Sequence, residues 1–170
     1  MLTVDATKSR VVVETRATGL LASVAHDLRI EAPVEDGNSV DGERCTVRFD
    51  IGKMKVAESC RHNTGAWHRP SPSDATDIEG RIRREVFDGC PTVSVDGKLE
   101  GNRAILTVHA RGAQTVETSV RVDRDSGGAR ARGMCVLSLR ALGTGKVRVP
   151  LGAIKLEDGV TVTFDVTFVG

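Results

Sequence analysis

Val160-Thr161-Val162-Thr163-Phe164-Asp165-Val166-Thr167-Phe168-Val169, at the C-terminal end of the chain, decides the fold. Val160, Val162, Phe164, Val166 and Phe168 alternate with Thr161, Thr163, Asp165 and Thr167. Successive side chains of an extended chain leave on opposite sides, so the stretch reads as a strand with one dry face and one wet face.

The same period recurs upstream. Val11, Val13, Thr15 and Ala17 alternate with Val12, Glu14 and Arg16; Leu28, Ile30 and Ala32 with Asp27, Arg29 and Glu31; Cys45, Val47, Phe49 and Ile51 with Thr46, Arg48 and Asp50. Val93, Val95 and Leu99 follow, then Ala104, Leu106, Val108 and Ala110, then Val116, Val120 and Val122. Two less regular strands are expected over residues 131–139 and 146–156. Turn signals separate them: Glu35-Asp36-Gly37, Glu100-Gly101-Asn102, Ser126-Gly127-Gly128 and Glu157-Asp158-Gly159. Asp96-Gly97 interrupts an alternating run and reads as a turn or a bulge. About eight strands joined by short turns predict an all-β, closed antiparallel eight-stranded barrel, because closure removes the exposed edges of such a sheet.

Two stretches break the alternation. Residues 74–87 predict one main α-helix, capped by Asp74 or Asp77, with Ile78, Ile82 and Val86 on one side and Gly89 and Pro91 at its end. A short helical turn is expected over residues 18–24. Residues 57–73, with Trp67, read as a long polar loop. Neither a repeat nor a second domain is visible, so residues 1–170 are read as one domain.

Hydrophobic residues make up 39% of the 170 and charged residues 28%, a globular composition rather than a disordered one. Lys+Arg number 24 and Asp+Glu 23, a net charge of +1, which argues against nucleic acid as a partner. The basic cluster Arg81-Ile82-Arg83-Arg84 lies between Glu79 and Glu85 and reads as a solvated helix face. No apolar run approaches the roughly 20 residues that span a bilayer. The N-terminus lacks the charged start, apolar core and cleavage site of a secretory signal, so a cytoplasmic protein is expected, with Cys45, Cys60, Cys90 and Cys135 as free thiols. A homodimer is left open.

Four segments, in order along the chain, resemble the YceI-like family of bacterial lipocalin-like barrels, whose name-giving members bind polyisoprenoid lipids. They are Val24-Ala25-His26-Asp27-Leu28; Asp77 to Pro91, with its Val86-Phe87-Asp88-Gly89-Cys90-Pro91 end; Gly101 to Gly112, with Leu106-Thr107-Val108-His109-Ala110-Arg111-Gly112; and Leu139-Arg140-Ala141-Leu142-Gly143 before the final strand. Leu142 stands where an aromatic is common, and residues 57–73 differ from the Asp/His-bearing segment of the lipid-binding members. The resemblance implies the barrel and an apolar chain-like ligand inside it, a lipid or polyisoprenoid bound without catalysis.

By parity His26 shares a face with Leu28 and Ile30, pointing inward or toward a barrel mouth. There it is either a hydrogen-bonded structural residue or a polar contact for a ligand head. Arg140 is expected to close the barrel base on carbonyls or Asp27. Cys60, His62 and His68 have ligand types suited to zinc, but their spacing matches no closed site, and neither a metal nor another cofactor is expected. Gly143-Thr144-Gly145-Lys146 lacks the strand-to-helix context of a phosphate loop. No catalytic set is identified.

The inward positions are mostly Val, Leu, Ile, Ala and Thr; aromatics are 3% and Tyr is absent. Such a lining suits either an open apolar interior or a core filled by its own side chains. The candidate ligand-binding residues are Val11, Val13, His26, Leu28, Val47, Phe49, Trp67, Val93, Val95, Leu106, Val108, Val162, Phe164 and Val166, with Trp67 guarding the entrance. The alternatives are a filled barrel acting as a scaffold or protein-interaction module, and an enzyme using Cys60, His62 and His68.

Overall fold

The computed structural model describes residues 1–19, 25–144 and 155–170. Its strands are β1 (Leu2–Val4), β2 (Arg10–Thr15), β3 (Ala17–Thr18), β4 (His26–Glu31), β5 (Val34–Ser39), β6 (Arg44–Asp50) and β7 (Lys55–Arg61). After helix α1 (Pro72–Arg81) come β8 (Thr92–Glu100), β9 (Arg103–His109), β10 (Ala113–Asp125), β11 (Gly128–Ser138), β12 (Lys155–Leu156) and β13 (Gly159–Val169).

Eight of these form a closed antiparallel ring in the order β1-β5-β6-β8-β9-β10-β11-β13, sealed where β1 returns to β13 at Thr3↔Val169 and Val4↔Phe168. The remaining long strands continue the wall at one end: β2 pairs with β13, β4 with β2, and β7 with β4. Three strands of the barrel are therefore long but bent, β1 running into β2, β4 into β5 and β6 into β7. Asp5 fixes the first bend, accepting from the amides of Thr7 and Lys8. A 3-10 turn at Ile51–Lys53 makes the third.

Beyond that third bend β7 leaves β8, and α1 fills the opening. Buried Glu79 ties the helix to the strand by accepting the Val56 amide at 3.0 Å. Ile78, Ile82 and Phe87 pack against the barrel core, and Val86 is buried. The helix cap is Ser71, whose hydroxyl accepts the Asp74 amide, rather than Asp74 or Asp77. Pro72 opens the helix because it has no amide hydrogen to leave unpaired there. Past Arg81 the helix widens into a π turn over Ile82–Val86 and stops before Gly89, at φ 76°.

Three expectations are corrected. The long loop is shorter than residues 57–73, because β7 continues to Arg61 with Ser59 and Cys60 buried beneath its coverings. Asp36-Gly37 lies inside β5 and Asp96-Gly97 inside β8, where the pairing of Gly97 with Cys45 and Leu106 is regular. These glycines supply room: a Cβ at Gly37 would stand 2.6 Å from the Thr46 carbonyl oxygen, and one at Gly97 2.8 Å from Cys45 Sγ. Most of the helical turn expected at 18–24 and of the strand expected at 146–156 lies outside the described residues; Lys155–Leu156 pairs with Ala17–Thr18.

Candidate functional site

The barrel interior holds a cavity of about 250 Å³. Val11, Val13, Val47, Phe49, Val93, Val95, Leu106, Val108, Val162, Phe164 and Val166 all line it. Each comes from the inward parity of its strand, and the antiparallel register puts them opposite one another, as in Val47↔Val95, Val95↔Val108 and Val13↔Val162. Val13, Val93, Val95, Leu106, Val162 and Phe164 remain only half-buried although they point inward. An inward side chain that keeps accessible surface faces space rather than a neighbour.

The width of that space has a local cause. On β11 the inward row begins Ala129, Ala131, Gly133 and Cys135, all small, before Leu137. The facing strands carry Val and Phe, so small residues on one wall leave volume that the other wall does not take up. The thiols of Cys45 and Cys135 also border the cavity, and burial pushes both pKa values up. They stay protonated at neutral pH and act as small apolar groups.

The cavity has two ends. At one, Phe87, Leu139, Leu142 and Thr144 close over it. At the other, Ser39, Glu43, Arg44 and Lys98 contribute to the rim, and the Arg124 guanidinium reaches across to the Gly42 carbonyl at 2.8 Å. Among the described lining residues, the only charged side chains belong to this rim. The rest of the cavity offers an occupant apolar contact, with no cluster suited to holding a metal ion among the described residues.

His26, Leu28 and Trp67 do not line the cavity. His26 is exposed and stacks edge-on against His68 at 6.4 Å, because it opens β4 where the strand emerges from the barrel. Leu28 packs in the core beside the cavity. Trp67 lies on the outer face of β4, under the Arg29 guanidinium at 4.0 Å, while Arg29 also pairs with Glu14 and Glu58. The ring therefore covers the outside of the wall and does not guard an entrance.

Cys60, His62 and His68 are drawn into separate contacts. Cys60 is buried, His68 meets Ser59, and His62 Nδ1 lies 2.8 Å from Asp27 Oδ1. Buried Asp27 also accepts the Ala17 amide at 2.8 Å, so its partners are His62 and the chain between β2 and β4 rather than Arg140. Arg140 is exposed and its amide donates to Asp158. Lining residues outside the candidate set include Ala104, which shares the inward parity of β9, and Ala129, Ala131, Cys135 and Leu137. The inward parity of β11 was the signal available for the last four.

No described helix is long and apolar enough to cross a membrane. No family model matches the chain, and no curated protein matches it in sequence. Solved structures do match. A polyisoprenoid binding domain from Saccharophagus degradans, implicated in plant cell wall breakdown, superposes with a TM-score of 0.69 at 12% identity, over 99% of this chain and 98% of that one. BcnA of Burkholderia cenocepacia superposes with a TM-score of 0.59 at 15% identity, over 96% of this chain and 98% of that one. Along nearly its whole length, this chain has the fold of the YceI-like barrels that its sequence segments resemble.

Proposed function

We propose that the protein binds an apolar, chain-like molecule, a lipid or polyisoprenoid, inside the barrel, and does so without catalysis. The observation that carries this reading is the open interior with its apolar wall. At about 250 Å³ it exceeds the ~150 Å³ apolar cavity that admits benzene and approaches the ~300–1,000 Å³ of common ligand pockets. Each methylene moved from water into such a wall contributes about 0.8 kcal/mol, so a short chain supplies useful affinity with no polar contact. The likeness to a polyisoprenoid binding domain supports the same ligand class. The four free cysteines of this chain fit a reducing compartment such as the cytoplasm.

The test is to titrate the purified protein with a fluorescent prenyl probe and to weigh it by native mass spectrometry. Saturable uptake with a blue-shifted emission, or co-purifying lipid mass, is the expected result. An apo mass together with no uptake would defeat the reading and favour a scaffold.

A further inference from the structure

Among the described residues, the wall of the barrel is incomplete in a second place. The β10–β11 ladder runs from Asp125↔Gly128 up to Val120↔Gly133 and then stops, although both strands continue. Above that point residues 113–119 of β10 pair only with β9, and residues 134–138 of β11 pair only with β13 among the described residues. Where β7 leaves β8, a helix fills the opening. Between β10 and β11 two side chains do so. The Ser138 amide donates to Gln114 Oε1 at 2.8 Å, and the Thr118 hydroxyl donates to the Met134 carbonyl. Gln114 and Thr118 have the inward parity of Val116 and Val120, so a polar side chain has replaced an apolar one to bridge backbone that lacks a strand partner.

Both sides of this seam are apolar. Inside it, Val116 packs against the cluster of Val108, Cys135, Leu137 and Val160, which is continuous with the cavity wall. Outside it stand Met134 and Val136, 59% and 58% exposed. The other large apolar side chains so exposed among the described residues are Met1 and Val40, both outside the strands. Two adjacent outward positions of one strand are therefore apolar at the point where its partner strand has moved away.

Resting on the binding reading above, we infer that the ligand enters and leaves through this seam, with Gln114 and Thr118 as the latch. Parting the strands between the Val120↔Gly133 rung and the Gly112–Leu142 backbone hydrogen bond breaks two side-chain bridges and no ladder hydrogen bond. Entry at the ends meets Phe87 and Leu142 on one side and the Arg124–Gly42 hydrogen bond on the other. The apolar lip of Met134 and Val136 receives a chain before it loses contact with water, and the inner cluster passes it to the cavity.

Stopped-flow uptake and displacement of the fluorescent prenyl probe test this with Gln114→Leu/Thr118→Val, which keeps side-chain size and removes both bridges. Uptake and release both accelerate by about tenfold, as expected from losing bridges of ordinary strength, while the dissociation constant stays nearly constant. Hydrogen exchange on the unaltered protein is the second measurement. The Val136 amide exchanges about a hundredfold faster than those of Arg130 and Arg132, which share that edge of β11 inside the ladder. Uptake at unchanged rates, acceleration by Arg124→Ala instead, or equal protection of the three amides overturns the seam. No uptake by either protein defeats the binding reading, and the seam with it.

Discussion

Phe164 lies across Gly133. The two are directly paired between β13 and β11, and a Cβ at position 133 would stand 2.5 Å from Phe164 Cζ and 3.0 Å from the Ser119 carbonyl oxygen. The glycine is therefore required by a neighbour and not by a turn. The aromatic ring, in exchange, covers backbone that no side chain of β11 protects.

Gly133→Ala forces the contact to give. The ring borders the cavity and can swing into it, whereas the Ser119 carbonyl belongs to the wall. The expected stability loss is about 1–3 kcal/mol by urea unfolding, the range of an overpacked site. Prenyl-probe affinity falls as well, because the displaced ring occupies ligand volume. Adding Phe164→Leu restores stability; if the double variant is no more stable than the single one, the ring is not the obstacle.

Asp27 holds the chain between β2 and β4 to the tip of β7. Its carboxylate is buried and meets both the Ala17 amide and His62. Asp27→Ala leaves an amide and an imidazole without their acceptor and costs about 1–3 kcal/mol. His62→Ala costs less, since Ala17 keeps its bond. A double-mutant cycle read by thermal unfolding gives a coupling between the two sites; strictly additive losses would show that the pair does not interact.

Asp5 supplies an acid-side prediction. Hydrogen bonds from Thr7 and Lys8 lower its pKa from 3.8 to about 2. A folded-state value below the unfolded one means that its stabilisation is complete above pH 3.8 and is lost as the pH falls toward about 2. A carboxyl-carbon titration by NMR should find the midpoint near the lower value. Thr7→Ala, which removes the leading cause, should move it back toward the ordinary one; an unmoved midpoint would exclude the hydroxyl as that cause.

These residues also mark how far the chain could be read before folding. Strands such as β13 were plain, because alternation against water is a local pattern. So was the apolar cavity wall, which follows from parity once the barrel closes. Gly37 and Gly97 misled because a glycine that makes room for a neighbour across the sheet looks the same in sequence as one that turns the chain. His26 kept the parity of β4 but stands at its first residue, where the strand has left the core. Asp27 has outward parity and is buried all the same, because segments distant in sequence fold over it. Trp67 is held by Arg29, an attraction that no spacing announces.

Ala131→Leu separates an open barrel from a filled one. Ala131 points inward from the small-residue row, paired with Val122 on one side and Val166 on the other, and it borders the cavity. Where space exists, three added carbons gain burial, and filling a cavity stabilises a protein by about 0.5–2 kcal/mol. Where the interior is already packed, the same carbons force strain and cost about 1–3 kcal/mol. The two interiors thus predict opposite signs for one substitution. The open barrel requires a raised melting temperature together with weakened prenyl-probe binding, since the new side chain occupies the ligand's place. A lowered melting temperature would instead mean that the interior has no room to give.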